Sequence, residues 1–270
     1  MALATLVFQA GVSSAANVIV NNPETIVSPW TTYPPGGFAT LTTTSPFTSG
    51  TKYAGVFFGT VDGAKAAFFC AELNHAVDYG VSHPLNVNVL EEAPIHDGNP
   101  VGSPTPAPTP LSERQLCLLE GVYAYLKVYN PDGYTTNTGT QDLTGTSTAG
   151  VGGIATMAGL TDITATAAQL VMWEIIHEAG TGTAPFTGVP TDAISLTGGK
   201  LQWSNFKGAA LGNTFDVGLF NTEFNNIANY AVNTWTCVPE ITSPVALIFG
   251  GLVFVRRREP RALRLKSLAP

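Results

Sequence analysis

The chain has 270 residues, a formal net charge of −7 and only 11% charged residues. That length permits one large or two small domains with an ample core, and the acidic balance excludes nucleic-acid binding, which needs clustered lysine and arginine. The charge is also uneven: Arg256, Arg257, Arg258, Arg261, Arg264 and Lys266 are half of the basic residues, so residues 17–240 hold 6 basic against 18 acidic side chains.

The N-terminal "MALATLVFQAGVSSAANV" has an apolar stretch over residues 3–12. Ser14 and Ala16 are placed for cleavage before Asn17, which predicts a signal peptide over residues 1–16, although without a basic start. A buried first strand is the alternative. Next, "FATLTTTSPF" and "TKYAGVFFGT" read as strands bounded by proline and glycine. Asp62-Gly63 is a hairpin-turn dipeptide, so residues 53–60 and 64–73 are expected to pair antiparallel, with Cys70 near the end of an interior strand. Five prolines in residues 99–110 predict an exposed loop or linker.

Three helices follow. "LSERQLCLLEGVYAYLKVY" has Ser112 as N-cap and apolar residues at helical spacing. "TDITATAAQLVMWEIIHEAG" starts with threonine and an acid and stops at Gly180. "FNTEFNNIANYAVNTW" carries Phe220, Phe224, Ile227, Ala231 and Trp235 on one face. With no internal repeat, residues 17–237 are expected to form a single α+β domain, an antiparallel sheet or barrel carrying a helical subdomain.

Residues 244–255 are an uncharged run followed at once by three arginines. Twelve residues are short of the roughly 20 of an ordinary spanning helix. A short apolar span with a basic flank suits a stop-transfer signal whose arginines stay in the cytoplasm. The order "VPE", apolar span, "RRR" resembles the PEP-CTERM sorting signal, with Ile241 where that signal usually has a second proline. The resemblance makes residues 238–270 a sorting signal. It implies exosortase as a partner, transient contact with the membrane, and export to the cell surface of a Gram-negative-type bacterium. A buried C-terminal strand fits poorly with a triple arginine at its end.

The chain has three cysteines, Cys70, Cys117 and Cys237. In an exported protein an odd count leaves at least one without an internal disulfide partner. In a helix over residues 161–180, Ala165, Gln169, Trp173 and Ile176/His177 share a face. Gln169 is the polar residue on this stripe, and a buried glutamine without partners costs a few kcal/mol, so it must bond or react there. The strand-borne "FFCAEL", the helix "LEGVYAYLKVYN" and "AAQLVMWEII" resemble the thioester domains of bacterial surface adhesins, over roughly residues 45–236. That family joins a cysteine sulfur to a glutamine side-chain carbonyl.

The resemblance makes Cys70 the thiol, Gln169 the acyl donor and Trp173 the ring that excludes water. Cys117 and Cys237 then remain as an even pair. A thiolate is the natural nucleophile, and oriented contact lowers such a barrier by roughly 7–11 kcal/mol. The partner implied is an amine-bearing surface molecule, a protein lysine or an amino sugar, captured once as an isopeptide; the chain is then no enzyme and needs no cofactor. Other readings remain. Cys70 could form a disulfide with Cys117 or Cys237, or Cys117 could be a buried thiol. Gln169 could cap a backbone group and Trp173 could be core. His177 as a general base for Cys70 would make a Cys–His hydrolase or transpeptidase. The chain could also be an inert surface or biofilm-matrix protein. His75, His83 and His96 lack the spacing of a zinc site, so no metal is expected.

Overall fold

The computed structural model describes residues 14–43, 47–71, 73, 78–88, 94–95, 109–129, 135–136, 155–156, 160–178, 194–199, 201–208, 215–233, 246–249 and 252–255. Its elements are β1 (Ser14–Val20), β2 (Gly36–Thr43), β3 (Gly50–Val61), β4 (Ala64–Cys70), β5 (Ser82–Asn88), β6 (Pro94–Ile95), β7 (Thr109–Pro110), α1 (Glu113–Tyr129), β8 (Thr135–Thr136), β9 (Ala155–Thr156), α2 (Asp162–His177), β10 (Leu201–Gly208), α3 (Val217–Asn233), β11 (Ala246–Phe249) and β12 (Leu252–Val255).

The turn at Asp62-Gly63 organises the sheet. Both residues take positive φ, 49° and 80°, which a two-residue hairpin needs and which Asp and Gly tolerate. β3 and β4 therefore pair antiparallel, Val61 opposite Ala64 and Phe57 opposite Phe68. The other end of β3 pairs with β2, Gly36 opposite Gly55, and β2 pairs with β10. β1 pairs antiparallel with β3 and with β5. These six strands and the three helices make an α+β fold, and the six strands do not by themselves close into a barrel.

Alternation along β3 and β4 sends Ala54, Val56, Phe58, Ala67 and Phe69 into one core with the helices. α2 packs on β2 and β3 and against α1 and α3. α1 and α3 approach closely, because a Cβ at Gly121 would stand 2.6 Å from the Ala231 Cα. Only glycine fits there.

The three expected helices are present with shifted ends. α3 begins before Phe220 because Asp216 accepts the Leu219 N–H at 3.0 Å, capping the first turn. Residues 14–16 of the expected leader lie in β1, and residues 1–13 are outside the described residues. Within the expected sorting signal, β11 and β12 form a hairpin that pairs in parallel with β4 and β5. Among the described residues no helix is long and apolar enough to cross a membrane. Of the proline-rich stretch, only Thr109–Pro110 is described, paired with β6. Cys237, His75 and His96 lie outside the described residues.

Candidate functional site

α2 is a helix with almost no exposed side: every residue from Thr164 to His177 is buried. A helix apolar nearly all round belongs inside a protein, and its polar residues must find internal partners. Thr161 is the N-cap, its hydroxyl accepting the Thr164 N–H at 3.1 Å. The Asp162 carboxylate accepts the Gly36 N–H at 3.1 Å, tying the start of the helix to β2. At the other end Gln115 of α1 donates from Nε2 to the carbonyls of Ile175 and Ile176, at 3.2 and 2.7 Å. Gln115 also closes a capping box with Ser112, each accepting the other's backbone N–H. The helix is held at both ends, so the side chains at its middle have fixed positions.

Gln169 is one of these and has no solvent exposure. Its Oε1 accepts the backbone N–H of Cys70 at 2.8 Å, and its Nε2 donates to the Cys70 carbonyl at 2.6 Å. Reversing the amide would set donor against donor and acceptor against acceptor, so the network fixes its orientation. The two bonds close a small ring across the Cys70 Cα and bring the carboxamide carbon opposite that atom. The cysteine sulfur is two bonds from the same Cα. Cys70 is the last residue of β4 and is partly buried. Sequence reasoning named both residues, and the fold brings them together across 99 positions.

Trp173, one turn on, is 2% exposed and stacks on Trp203 of β10, with centroids 5.4 Å apart and planes 11° apart. Its Nε1 finds no hydrogen-bond partner among the described residues. The Trp203 indole donates to Glu174 Oε1 at 2.8 Å. Burial pushes the Glu174 carboxyl up to about 9, and the Glu178 carboxylate adds to this; Trp203 and the Ser195 backbone pull the other way. Glu174 is therefore neutral at pH 7. Glu178 accepts the Leu201 N–H, and a Cβ at Gly199 would collide with its carboxylate.

His177 lies with Nε2 3.1 Å from the Ala71 carbonyl. A carbonyl only accepts, so Nε2 carries a proton and is committed to the backbone just after Cys70. Phe47 meets its ring edge-to-face at 5.0 Å. Cys117 is buried on α1, 4% exposed, while its expected partner Cys237 is outside the described residues. His83 is partly buried and donates from Nε2 to the Asp78 carbonyl at 3.1 Å. Sequence reasoning missed Glu174, Trp203 and Gln115. The alternation of "LQWS" would have found Trp203, and S-x-x-Q at residues 112–115 would have found Gln115.

The arrangement has a definite chemical capacity. The Gln169 carbonyl, docked on the Cys70 backbone, already accepts an N–H bond, which draws electron density onto oxygen and favours addition at carbon. The amide nitrogen faces an acceptor. Comparison of the chain with family models, with curated proteins and with solved structures finds no match.

Proposed function

We propose that Cys70 and Gln169 form an internal thioester and that the protein is a cell-surface adhesin-like molecule that captures an amine-bearing partner once, covalently. The observation that carries this reading is the Gln169 carboxamide seated on the Cys70 backbone by two hydrogen bonds. The Cys70 thiolate adds to the Gln169 carbonyl carbon, and the Cys70 N–H supports the charge that gathers on oxygen. The C–N bond breaks, ammonia leaves with the thiol proton, and the thioester remains. A primary amine later adds at the same carbon and displaces Cys70 as a thiol, leaving an amide on residue 169. Burial around Gln169 and the paired indoles of Trp173 and Trp203 keep water away in the interval. We read the six-stranded sheet and its helices as one domain of this kind, a sheet or barrel carrying a helical subdomain.

His177 favours this over a Cys–His hydrolase or transpeptidase, because its Nε2 is held by Ala71. Intact mass tests the reading. The purified chain should lack one ammonia relative to its sequence and should gain one methylamine on exposure to that amine. A mass equal to the sequence, with Cys70 alkylated before any amine is added, would leave an inert surface or matrix protein.

The tail belongs to the same proposal: exosortase acts near "VPE", and the protein is displayed on a Gram-negative-type cell. Deleting residues 238–270 should move the protein from the cell fraction into the medium. Retention of the truncated protein on cells would remove the sorting reading.

A further inference from the structure

The core begins one residue after the expected cleavage point. Val18 has no solvent exposure, while Asn17 is exposed. The pairing of β1 divides at the same place: Val18 to Val20 lie against both β3 and β5, whereas Ser14, Ala15 and Ala16 pair, among the described residues, with β5 alone. Both backbone polar groups of Asn17 go to one residue. Its N–H donates to the Asp62 carboxylate at 2.8 Å, and its carbonyl accepts the Asp62 N–H at 2.8 Å. Asp62 is set there by the turn between β3 and β4, where its φ is 49°. Asn17 is thus held from downstream, and residues 1–16 are not needed to place it. An amide N–H offers that carboxylate one donor and no charge. An ammonium would offer it three donors and a full positive charge.

We propose that Asn17 is the first residue of the mature protein and that Asp62 is the seat of its α-ammonium group. The inference extends the export part of the reading above and is independent of the thioester. A membrane-bound signal peptidase adds water across the Ala16–Asn17 amide, leaving a carboxylate on Ala16 and an ammonium on Asn17. The cut is made as the chain crosses the membrane, before β1 pairs. On folding, Val18 enters the core and the ammonium meets Asp62, which fixes the new terminus to the tip of the hairpin. The seat is specific to this position. A cut one residue earlier would leave the charge about 3.8 Å further along the chain, and a cut one residue later would remove both bonds. Two other ionisable side chains flank the position, and each is engaged elsewhere. His83, opposite Val18 on β5, meets the Asp78 carbonyl with its Nε2. Lys65, opposite Thr60 in the hairpin, lies over the Trp30 ring at 5.2 Å.

Terminal sequencing of the exported protein should begin at Asn17, and any other first residue would overturn the proposal. Titration of the amine then tests Asp62. The α-amine of the mature chain is marked with 13C-methyl groups by reductive methylation and followed by NMR, in wild type and in Asp62→Asn. That substitution keeps an acceptor oxygen for the Asn17 nitrogen and tolerates the positive φ, so it removes the charge and spares the turn. A free α-amine titrates near about 7.7–8.0. A carboxylate partner favours the charged form, so the wild-type midpoint should lie above that of Asp62→Asn, by about half a pH unit for so exposed a pair. A chain begun at Ala16 is the control, and its midpoint should not respond to Asp62→Asn. Equal midpoints in the two mature chains would overturn the seat. The same response in the chain begun at Ala16 would reduce Asp62 to a general field and overturn it too. None of these outcomes bears on ammonia loss, which reads the thioester separately.

Discussion

Gln169→Ala should abolish covalent amine capture and leave Cys70 open to iodoacetamide without prior amine treatment. Cys70→Ala should abolish capture as completely, yet the two variants should differ in stability. Both lose the cross-link. Cys70→Ala keeps the hydrogen bonds that Gln169 makes, because their partners are the backbone N–H and carbonyl of residue 70. Gln169→Ala strands those groups and leaves a cavity in a helix with no exposed neighbour at that point. A buried polar group left unsatisfied costs about 1–3 kcal/mol. Chemical denaturation should therefore place Gln169→Ala roughly 2–5 kcal/mol below Cys70→Ala, counting the cavity. Equal stabilities would mean that the carboxamide is not docked as described, and capture surviving in either variant would end the thioester reading.

The second large effect is on pH dependence and comes from Glu174. Its carboxyl holds a proton in the fold up to about pH 9 and in the unfolded chain only to about pH 4.3. Folding therefore takes up a proton between those values. The unfolded state binds fewer protons there, so stability is greatest at the acid end of the window and falls as pH rises through it. The slope is about 1.4 kcal/mol per pH unit, which puts the cost near neutrality at about 4 kcal/mol. Glu174→Gln keeps an acceptor oxygen for the Trp203 indole and cannot ionise. It should be more stable than wild type at pH 8 by an amount of that order, and this contribution to the slope should vanish. Unfolding in urea at pH 6, 7 and 8 measures it. Parallel slopes in the two proteins would show that Glu174 is ionised in the fold and held by other partners.

The two central residues were legible because each broke a pattern. Cys70 ended an apolar strand, and Gln169 interrupted an apolar helix. The pattern itself was only partly right. Gln169 was read as the polar member of an apolar stripe, but α2 is buried on nearly all sides, so amphipathicity was not what marked it. What marks the polar residues of α2 is that each is answered by a different element: Gln169 by β4, Glu174 by β10 and His177 by the residue after β4. Glu174 passed unnoticed because its partner Trp203 sits on a strand 29 positions later that was not predicted. Spacing along one helix is readable in a sequence, whereas the pairing of a strand with a distant turn depends on the closed fold.

Cys70 and Gln169 divide the chain unevenly, and the covalent bond proposed between them would have a mechanical meaning. While the bond stands, it closes a loop of about a hundred residues that holds β5 and α1, and pulling on the chain ends cannot lengthen that segment. Once an amine has taken the acyl group, the partner hangs from residue 169 alone. Tension between the captured partner and a C-terminal attachment then runs through the second half of α2, β10 and α3. The covalent path leaves out β1 to β4, which meet it only through the pairing of β10 with β2 and the packing of α2 on β2 and β3. The part of the captured complex under tension would be the shorter, C-terminal portion of the fold, in which Glu178 accepts the Leu201 N–H and to which Tyr125 of α1 is tied by its bond to Glu223 of α3.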